Sequence, residues 1–584
     1  MVTNKKNKIG NSIIIILSII GLIVCITVLF PQVRRMMLDY LIEHVVHREI
    51  SSYQVWFDVL LSYAVCGICC ILFLDYFTLI NSGKSLVRNV KQEIKDCWSE
   101  IDFRSFSKPL ILLIGVYFLG ILTIVRANFL YRDDIWRAVE SIFWQWFGWS
   151  RYVSVFSSFI VHADINLTDI SPLPQLLAMV ILSISSLLLV YVIGKKRITV
   201  VRLLASIPLG LSPFILENLS YKFDPPYNAL SILASIVPFL FIARRKAFLF
   251  VSVLSLLVMC TTYQAASGIY MMIVVILCFQ YWSNKEKTNK EILSFIGTAA
   301  IAFCFSILFF KFFLMRPVDV RASGYISNSM FPASHIISGI LGNIKAYAMN
   351  VNHYLNITWG IGIVIVLLFF IAKSVCSSAQ KKIRSFFASI LVIGLLFILS
   401  FGLYYFLEAP LLAPRAMYGF GVFLAIMCIS VVSDYKKIAV VAVLALNWCF
   451  LVFAFSYGNA LADQARYAEF RITILLNDLS VLYPDVGRED LSIQVENPID
   501  FTPLVKNTAK HYPLIEELVP TRMGRFAWDD FYYLEYFNYI SYKKANWPVD
   551  GYIDFRTLDL PVVLDSYYHT IKSDGEHVLV ILKH

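Results

Sequence analysis

Two adjacent carboxylates, Asp133 and Asp134, are the residues of this chain best suited by type and spacing to do chemistry. A positioned carboxylate can act as a general base that takes the proton from a poor nucleophile such as a hydroxyl group. The pair also fits a helix start, because Asp-Asp before Ile-Trp-Arg-Ala-Val-Glu supplies an N-cap and an acidic first turn. The two interpretations are compatible, and the sequence leaves both open.

A second group of polar residues is predicted to lie at the same membrane face as the acidic pair. Its members are Arg137, Arg151, Glu217, Tyr263, Gln264, Arg316, Arg321, Glu408 and Arg415. Arginine suits a phosphate because its planar guanidinium can donate two parallel hydrogen bonds. A single arginine at this level is more often a contact with lipid headgroups. Their convergence on one face favours a phosphate site, for which Arg415 is the strongest candidate.

Other chemistries lack their usual patterns. The chain has no glycine-rich loop for nucleotide phosphates, and His162, His335 and His353 are too scattered to be predicted as metal ligands. Cys66 and Cys69 have the spacing of a redox motif, but inside an apolar segment this spacing indicates helix packing. No metal site is therefore predicted from histidine or cysteine.

The elements that position these residues must be membrane helices. The 584 residues are 58% hydrophobic and only 15% charged, and the mean hydropathy is +0.69. Soluble domains carry about 25% charged residues, so this chain is too apolar for water. A transmembrane β-barrel would alternate apolar and polar residues, whereas Ile13–Leu29 and Ile363–Ala372 are nearly unbroken apolar runs. The sequence predicts an all-α polytopic membrane protein.

The basic residues set the predicted orientation. An excess of 50 Lys and Arg over 40 Asp and Glu could suggest nucleic acid, but the basic clusters alternate with apolar runs, as in the positive-inside rule. We predict about 13 spans, near residues 9–30, 56–81, 109–126, 174–194, 199–216, 227–243, 247–260, 265–282, 293–314, 357–373, 385–405, 416–433 and 437–456. This topology puts the amino terminus in the cytoplasm and the carboxyl terminus outside.

Three parts follow from this reading of the chain. Residues 1–108 form an extension with two spans and a cytoplasmic connector, and residues 109–456 form the membrane catalytic domain. Residues 457–584 have globular composition, with a helical pattern at Ala465–Leu482 and strand-like stretches at Leu491–Val495 and Val578–Leu582. We expect them to form a small α/β domain on the periplasmic side.

Four short motifs together resemble the serotype-converting Gtr type-II glucosyltransferases, bacterial enzymes of the GT-C class. They are the acidic pair, the stretch Asp169–Gln175, the outer turn Thr262–Ala266, and Ala413-Pro-Arg415. The resemblance covers residues 109–456 and, more loosely, the tail. The two extra amino-terminal spans depart from the usual GT-C layout, in which the acidic loop follows the first span.

The resemblance implies transfer of glucose from undecaprenyl-phosphate-glucose to the O-antigen or another cell-envelope glycan, on the periplasmic face of the bacterial inner membrane. Asp133 or Asp134 would be the base, and the anomeric centre would be inverted. The leaving lipid phosphate needs cationic stabilisation, which arginine or a divalent metal, Mg²⁺ or Mn²⁺, can supply. Two alternatives stay open at this stage: a lipid-linked sugar flippase or transporter, and an O-antigen polymerase.

Overall fold

The computed structural model describes most of the predicted membrane domain and the tail. The described residues are 81–141, 146, 148–315, 327–332, 334–432, 437–484, 491–524, 527–539 and 553–584. The predicted spans near 9–30 and 56–81 lie outside this part of the chain, apart from residue 81. Arg316 and Arg321, two of the predicted phosphate ligands, also lie outside it.

The described chain is mostly helical. The amino-terminal half contains α1 Asn81–Ser99, α2 Ser107–Ala127, α3 Asp134–Glu140, α4 Tyr152–His162, α5 Leu173–Ile193, α6 Val200–Ala205, α7 Pro208–Leu211, α8 Ile215–Ser220, α9 Pro225–Ile236, α10 Arg245–Cys260, α11 Ser267–Ser283 and α12 Asn289–Phe309. The remainder contains α13 Ile336–Tyr354, α14 Ile357–Ser377, α15 Lys382–Leu399, α16 Gly419–Val431, α17 Lys437–Leu482, α18 Pro503–His511, α19 Leu514–Leu518 and α20 Ala527–Tyr536.

Seven helical segments of the described chain are long and apolar enough to cross a membrane. They are Phe103–Ala127, Leu173–Ile193, Gln264–Ser283, Asn289–Leu314, Ile357–Ser377, Lys382–Leu399 and Lys437–Leu482. Each coincides with one predicted span. The other four predicted spans within the described residues, near 199–216, 227–243, 247–260 and 416–433, correspond to shorter helices, so the predicted count of 13 is not reached by this measure.

The short helix α16 has the apolar composition of a membrane span but only 13 residues. All 13 of its residues, Gly419–Val431, are buried within the protein. Only 22% of the apolar window in α14 is buried in this way. A helix that is apolar all round belongs at the centre of a bundle, where neighbouring helices and not lipid cover it. Apolar composition therefore identified α16 as membrane-type without giving its length.

The long helix α17 packs along α2 at close range. The Thr123 hydroxyl donates a hydrogen bond to the Ala454 carbonyl at 3.2 Å. A Cβ atom added to Gly458 would lie 2.3 Å from the Thr123 hydroxyl oxygen, so this contact requires glycine. The predicted domain boundary after residue 456 lies inside α17, which runs without interruption for 46 residues.

Two short strands, β1 Ser327–Met330 and β2 Leu407–Ala409, pair with each other, and a separate four-stranded sheet lies in the carboxyl-terminal region. Its strands are β3 Ser492–Glu496, β4 Val562–Asp565, β5 His569–Ser573 and β6 His577–Leu582, in the order β3-β6-β5-β4. β3 runs parallel to β6 and the other pairs are antiparallel. The two predicted strands are confirmed as β3, at one edge of the sheet, and its neighbour β6. Ile472 and Leu475 of α17 pack against this sheet, whereas Val505 and Leu518 of α18 and α19 return to the core of the helix bundle.

The basic loops between helices meet at one end of the bundle, which we call the basic end. Lys195 after α5 pairs with Glu286 after α11. The Ser378 hydroxyl after α14 donates to the Ser283 carbonyl at 3.1 Å. Helix α1, part of the predicted connector, joins them because Glu93 accepts a hydrogen bond from the Ala247 amide at 3.0 Å. The 21 residues of α5 span about 30 Å, which separates this end from the end where α5 begins.

Candidate active site

The acidic pair lies in the loop after α2, and the structure gives its two members different surroundings. Asp134 is fully buried, and its Oδ2 accepts hydrogen bonds from the Tyr131 and Lys222 amides, both at 2.9 Å. Burial raises the pKa of the Asp134 carboxyl well above its ordinary value, although the charge of Arg137 opposes the shift. Asp134 therefore links the loop before α3 to the loop at Lys222, and its side chain is closed off from solvent.

Asp133 lines a cavity of about 370 Å³ at the end of the bundle opposite the basic end, which we call the cavity end. It occupies the N-cap position of α3, yet its side chain makes no capping hydrogen bond to that helix. Asp133 therefore occupies the predicted cap position, but its carboxylate does not cap the helix. The polar residues lining the cavity include Asp133, Arg137, Arg151, Asp224, Asn228, Tyr263, Gln264 and Arg415.

Arg137 is held next to Asp133 by a buried ion pair. It is 3% exposed, pairs with Asp224, and lies over the ring of Trp146 at 4.7 Å from the centroid. The Trp146 indole also donates to Asp224 at 2.6 Å. Because Asp224 balances the charge of Arg137, the pair adds little net charge to the cavity.

Arg415 reaches the cavity from the short 3₁₀ turn Pro414–Ala416 before α16. Its backbone amide and its Nη1 donate to the two carboxylate oxygens of Glu217, both at 2.7 Å. Arg132 Nε lies 3.3 Å from the same carboxylate. Arg132 also lies 3.9 Å from the partly exposed carboxylate of Glu517, so the two guanidinium groups are matched by one buried and one partly exposed carboxylate.

Arg151 supplies a third cation on the same wall. Its guanidinium lies over the ring of Tyr263, 4.5 Å from the centroid. The Tyr263 hydroxyl in turn donates to the Arg415 carbonyl at 3.2 Å. Arg151, Tyr263 and Arg415 therefore form one contact chain, although they lie in three separate loops.

The lining that comes from the end of α12 and from the loop after α15 is mostly apolar, with Lys311 as its charged residue. Ile307, Phe310 and Met315 line the cavity from the end of α12, where the last turn, Phe310–Leu314, widens into a π-helix. Leu403 and Leu411 line it from the loop after α15. The cavity thus joins a charged region to an apolar region that begins within a candidate membrane span.

Six of the predicted site residues line this cavity: Asp133, Arg137, Arg151, Tyr263, Gln264 and Arg415. Asp134 and Glu217 lie behind the wall and fix it, whereas Glu408 is exposed on β2, Leu407–Ala409, which pairs with β1, Ser327–Met330. Sequence reasoning missed Arg132 and Asp224. The predicted outer loop between residues 217 and 226 already contained Asp224, but only its pairing with Arg137 distinguishes it from a surface carboxylate.

In the described part of the chain, no group of three or more His, Cys, Asp or Glu residues could hold a metal ion. His162 stacks on Phe223, with ring centroids 5.9 Å apart. The cations that the structure places around the cavity are the arginine side chains and Lys311, in the turn after α12.

Comparison with known proteins supports the resemblance seen in the sequence. The pattern of the glucosyl transferase GtrII family matches residues 122–426, which include every described residue of the charged wall named above. The chain is also 23% identical over 396 residues, 64% of its length, to a protein of Salmonella phage P22 described as an uncharacterised 55.3 kDa protein in the gtrB 5′ region, of which the match covers 79%. No solved structure matches.

Proposed function

The chain belongs to the glucosyl transferase GtrII family, and from its cavity we propose a polyprenyl-phosphate-linked sugar, with undecaprenyl-phosphate-glucose as the first candidate, as the donor for its transfer reaction. Family membership supports glycosyltransferase activity in serotype conversion. The acceptor in this proposal is a sugar of the O-antigen or of another cell-envelope glycan. The observation that carries the proposal is one cavity that combines a carboxylate, an arginine wall and an apolar extension.

Asp133 is the general base in this proposal. As the acceptor oxygen forms its bond to C1 of the glucosyl group, Asp133 takes the hydroxyl proton. The bond between C1 and the phosphate oxygen breaks, and its electron pair leaves with the lipid phosphate. Attack opposite to the leaving group inverts the anomeric centre.

Arg415 and Arg151 hold the donor phosphate. A phosphate that already carries charge needs cations more than it needs a proton as it leaves. The place of both arginines in the cavity lining supports this assignment, since a guanidinium group can donate two parallel hydrogen bonds to a phosphate. Arg316 and Arg321, which follow Met315 in the chain, remain predicted ligands of the same phosphate.

The apolar extension accommodates the first isoprene units of the carrier. Its residues lie at the end of α12, a candidate membrane span, so a lipid tail can pass from the cavity towards hydrocarbon beside one cation of that turn, Lys311. A nucleotide-linked donor has no apolar tail to place there. This is the main reason to prefer a lipid-linked donor.

We place the cavity end on the periplasmic side and the basic end in the cytoplasm of the bacterial inner membrane. The meeting of the basic loops around Lys195, Glu286 and Ser378 at one end supports this orientation through the positive-inside rule. The carboxyl-terminal sheet then lies in the periplasm.

Purified protein in lipid nanodiscs tests the function directly. It is mixed with radiolabelled undecaprenyl-phosphate-glucose and with envelope polysaccharide from a host strain that lacks the gene. We expect label to move to the polysaccharide and a hexose to be added to its repeat unit by mass spectrometry. If label crosses the bilayer of reconstituted vesicles but never reaches the polysaccharide, the flippase alternative replaces this one.

A further inference from the structure

A second cavity of about 260 Å³ lies directly behind one wall of the candidate active site. Ser220 and Lys222 line this second cavity, whereas Tyr221 and Asp224 line the first. The backbone is extended at Tyr221, with φ −66° and ψ 149°, and neighbouring side chains of an extended chain point to opposite sides. A single segment of chain, residues 220–224, therefore separates the two cavities.

One residue in the lining of the second cavity, Gln175, carries a buried polar atom without a partner in the part of the chain that the structure describes. Gln175 at the start of α5 is 5% exposed, and within the described residues its Oε1 has no hydrogen-bond donor. A buried acceptor without a donor costs free energy, so such atoms in native proteins indicate a bound water or ligand. Asn128, at the end of α2, and Ser171 add an amide and a hydroxyl to the same lining.

The charge balance of the second cavity favours a neutral ligand. Lys222 is 5% exposed, and its ammonium pairs with Asp169 at 2.8 Å. An anion would bring only acceptors to Gln175 Oε1. A hydroxyl group, in contrast, can donate to Gln175 and accept from the amide of Asn128 at once.

The shape and lining of the second cavity suit a single sugar ring. Its volume is slightly below the range of about 300–1,000 Å³ that is typical for drug-sized ligands. Val125, Phe129 and Leu461 form an apolar side that can cover the C–H face of a ring. A polyol of this size satisfies both the polar and the apolar lining.

We propose that the second cavity binds one neutral hexose ring of the acceptor glycan, adjacent to the ring that receives the glucosyl group. The proposal rests on the function proposed above, because it takes residues 220–224 as the wall between this ring and the reacting groups in the first cavity. Gln175 and Asn128 are the residues that select the ring.

A kinetic experiment separates this role from a structural one. Gln175→Met keeps the size of the side chain and removes its polar end, and Asn128→Gly keeps the left-handed backbone, φ 45°, while removing the amide. In the nanodisc assay with envelope polysaccharide as acceptor, each variant should raise KM for the polysaccharide about three- to tenfold, with KM for the lipid donor at the parental value.

Gln280→Met is the matched control. Gln280 also has a buried Oε1 without a donor in the described chain, but it lies in α11 near the basic end. It should show the parental KM for the polysaccharide. A parental value in Gln175→Met as well, or an equal rise in Gln280→Met, would overturn the proposal.

A binding experiment gives an answer even if the transfer reaction proves to be different. Methyl hexopyranosides at millimolar concentration are added to the nanodisc protein, and saturation transfer from protein to sugar is measured by NMR. We expect a signal with the parent and with Asp133→Asn, and its loss in Gln175→Met. Absence of any signal with the parent, or an undiminished signal in Gln175→Met, would exclude a hexose from this cavity.

Discussion

Glu217 binds Arg415 at two points, through the backbone amide and through Nη1, each at 2.7 Å, although the two residues lie 198 positions apart. The carboxylate is fully buried and the arginine side chain is 14% exposed. The backbone contact fixes where the turn before α16 lies, and the side-chain contact fixes where the guanidinium points. Glu217 thus positions the proposed phosphate ligand without touching the cavity itself.

Glu217→Gln should lower the stability of the protein and raise its KM for the lipid donor. The amide can still accept one hydrogen bond, but Arg415 then loses its carboxylate partner, and Arg132 keeps only the partly exposed Glu517. Breaking a buried pair in this way costs about 3–5 kcal/mol. We expect a lower unfolding temperature and at least a tenfold higher KM for the lipid donor, measured in nanodiscs. Glu408→Gln, an exposed carboxylate on β2, is the control and should change neither quantity.

Arg415→Lys should lower donor use about tenfold, and Arg415→Ala should lower it further. A charge-assisted hydrogen bond contributes about 1.5–3 kcal/mol, and lysine cannot reproduce the paired donors of guanidinium. The measurement is the transfer rate over a range of donor concentrations. Arg126→Lys is the control, since Arg126 is exposed at the same end and contacts Asn459. Equal rates for Arg415→Lys and the parent would remove Arg415 from the phosphate site.

The two adjacent carboxylates should respond differently to the same substitution. Asp133→Asn removes the proposed base, so turnover should fall about 10²–10⁴-fold with unchanged unfolding temperature. Asp134→Asn keeps an oxygen that can accept from the Tyr131 and Lys222 amides, so turnover should stay within about tenfold of the parent. Single-turnover rates with saturating donor measure both. The reverse order, with Asp134→Asn the inactive variant, would contradict the assignment.

The orientation in the membrane can be tested with single cysteines. Glu408→Cys introduces an exposed thiol at the cavity end, and Lys285→Cys introduces one at the basic end. A membrane-impermeant maleimide added to spheroplasts should label the first and leave the second unlabelled until the cells are lysed. The parent protein, with its native cysteines, sets the background. Labelling of Lys285→Cys alone in intact spheroplasts would invert the proposed orientation.

The class of protein and the order of its helices could be predicted from the amino-acid sequence. Apolar runs are long enough to predict every one of the seven candidate spans, because a helix in lipid must satisfy its own backbone and therefore needs about 20 consecutive apolar residues. Leu491–Val495 alternates apolar and polar residues and Val578–Leu582 is a short apolar run, and both were predicted as strands. Six of the cavity residues were named in advance because charged and polar residues at span ends are few.

The roles of these residues depend on tertiary contacts that the sequence does not show. The spacing of Asp133 and Asp134 could not say which carboxylate is buried, since that depends on the loop at Lys222, 88 positions away. For the same reason the sequence did not show that Asp224 pairs with Arg137. It also did not give the length of α16, whose apolar surface is covered by protein. These features depend on contacts between distant segments. The local sequence does not indicate which distant segment will cover a given side chain.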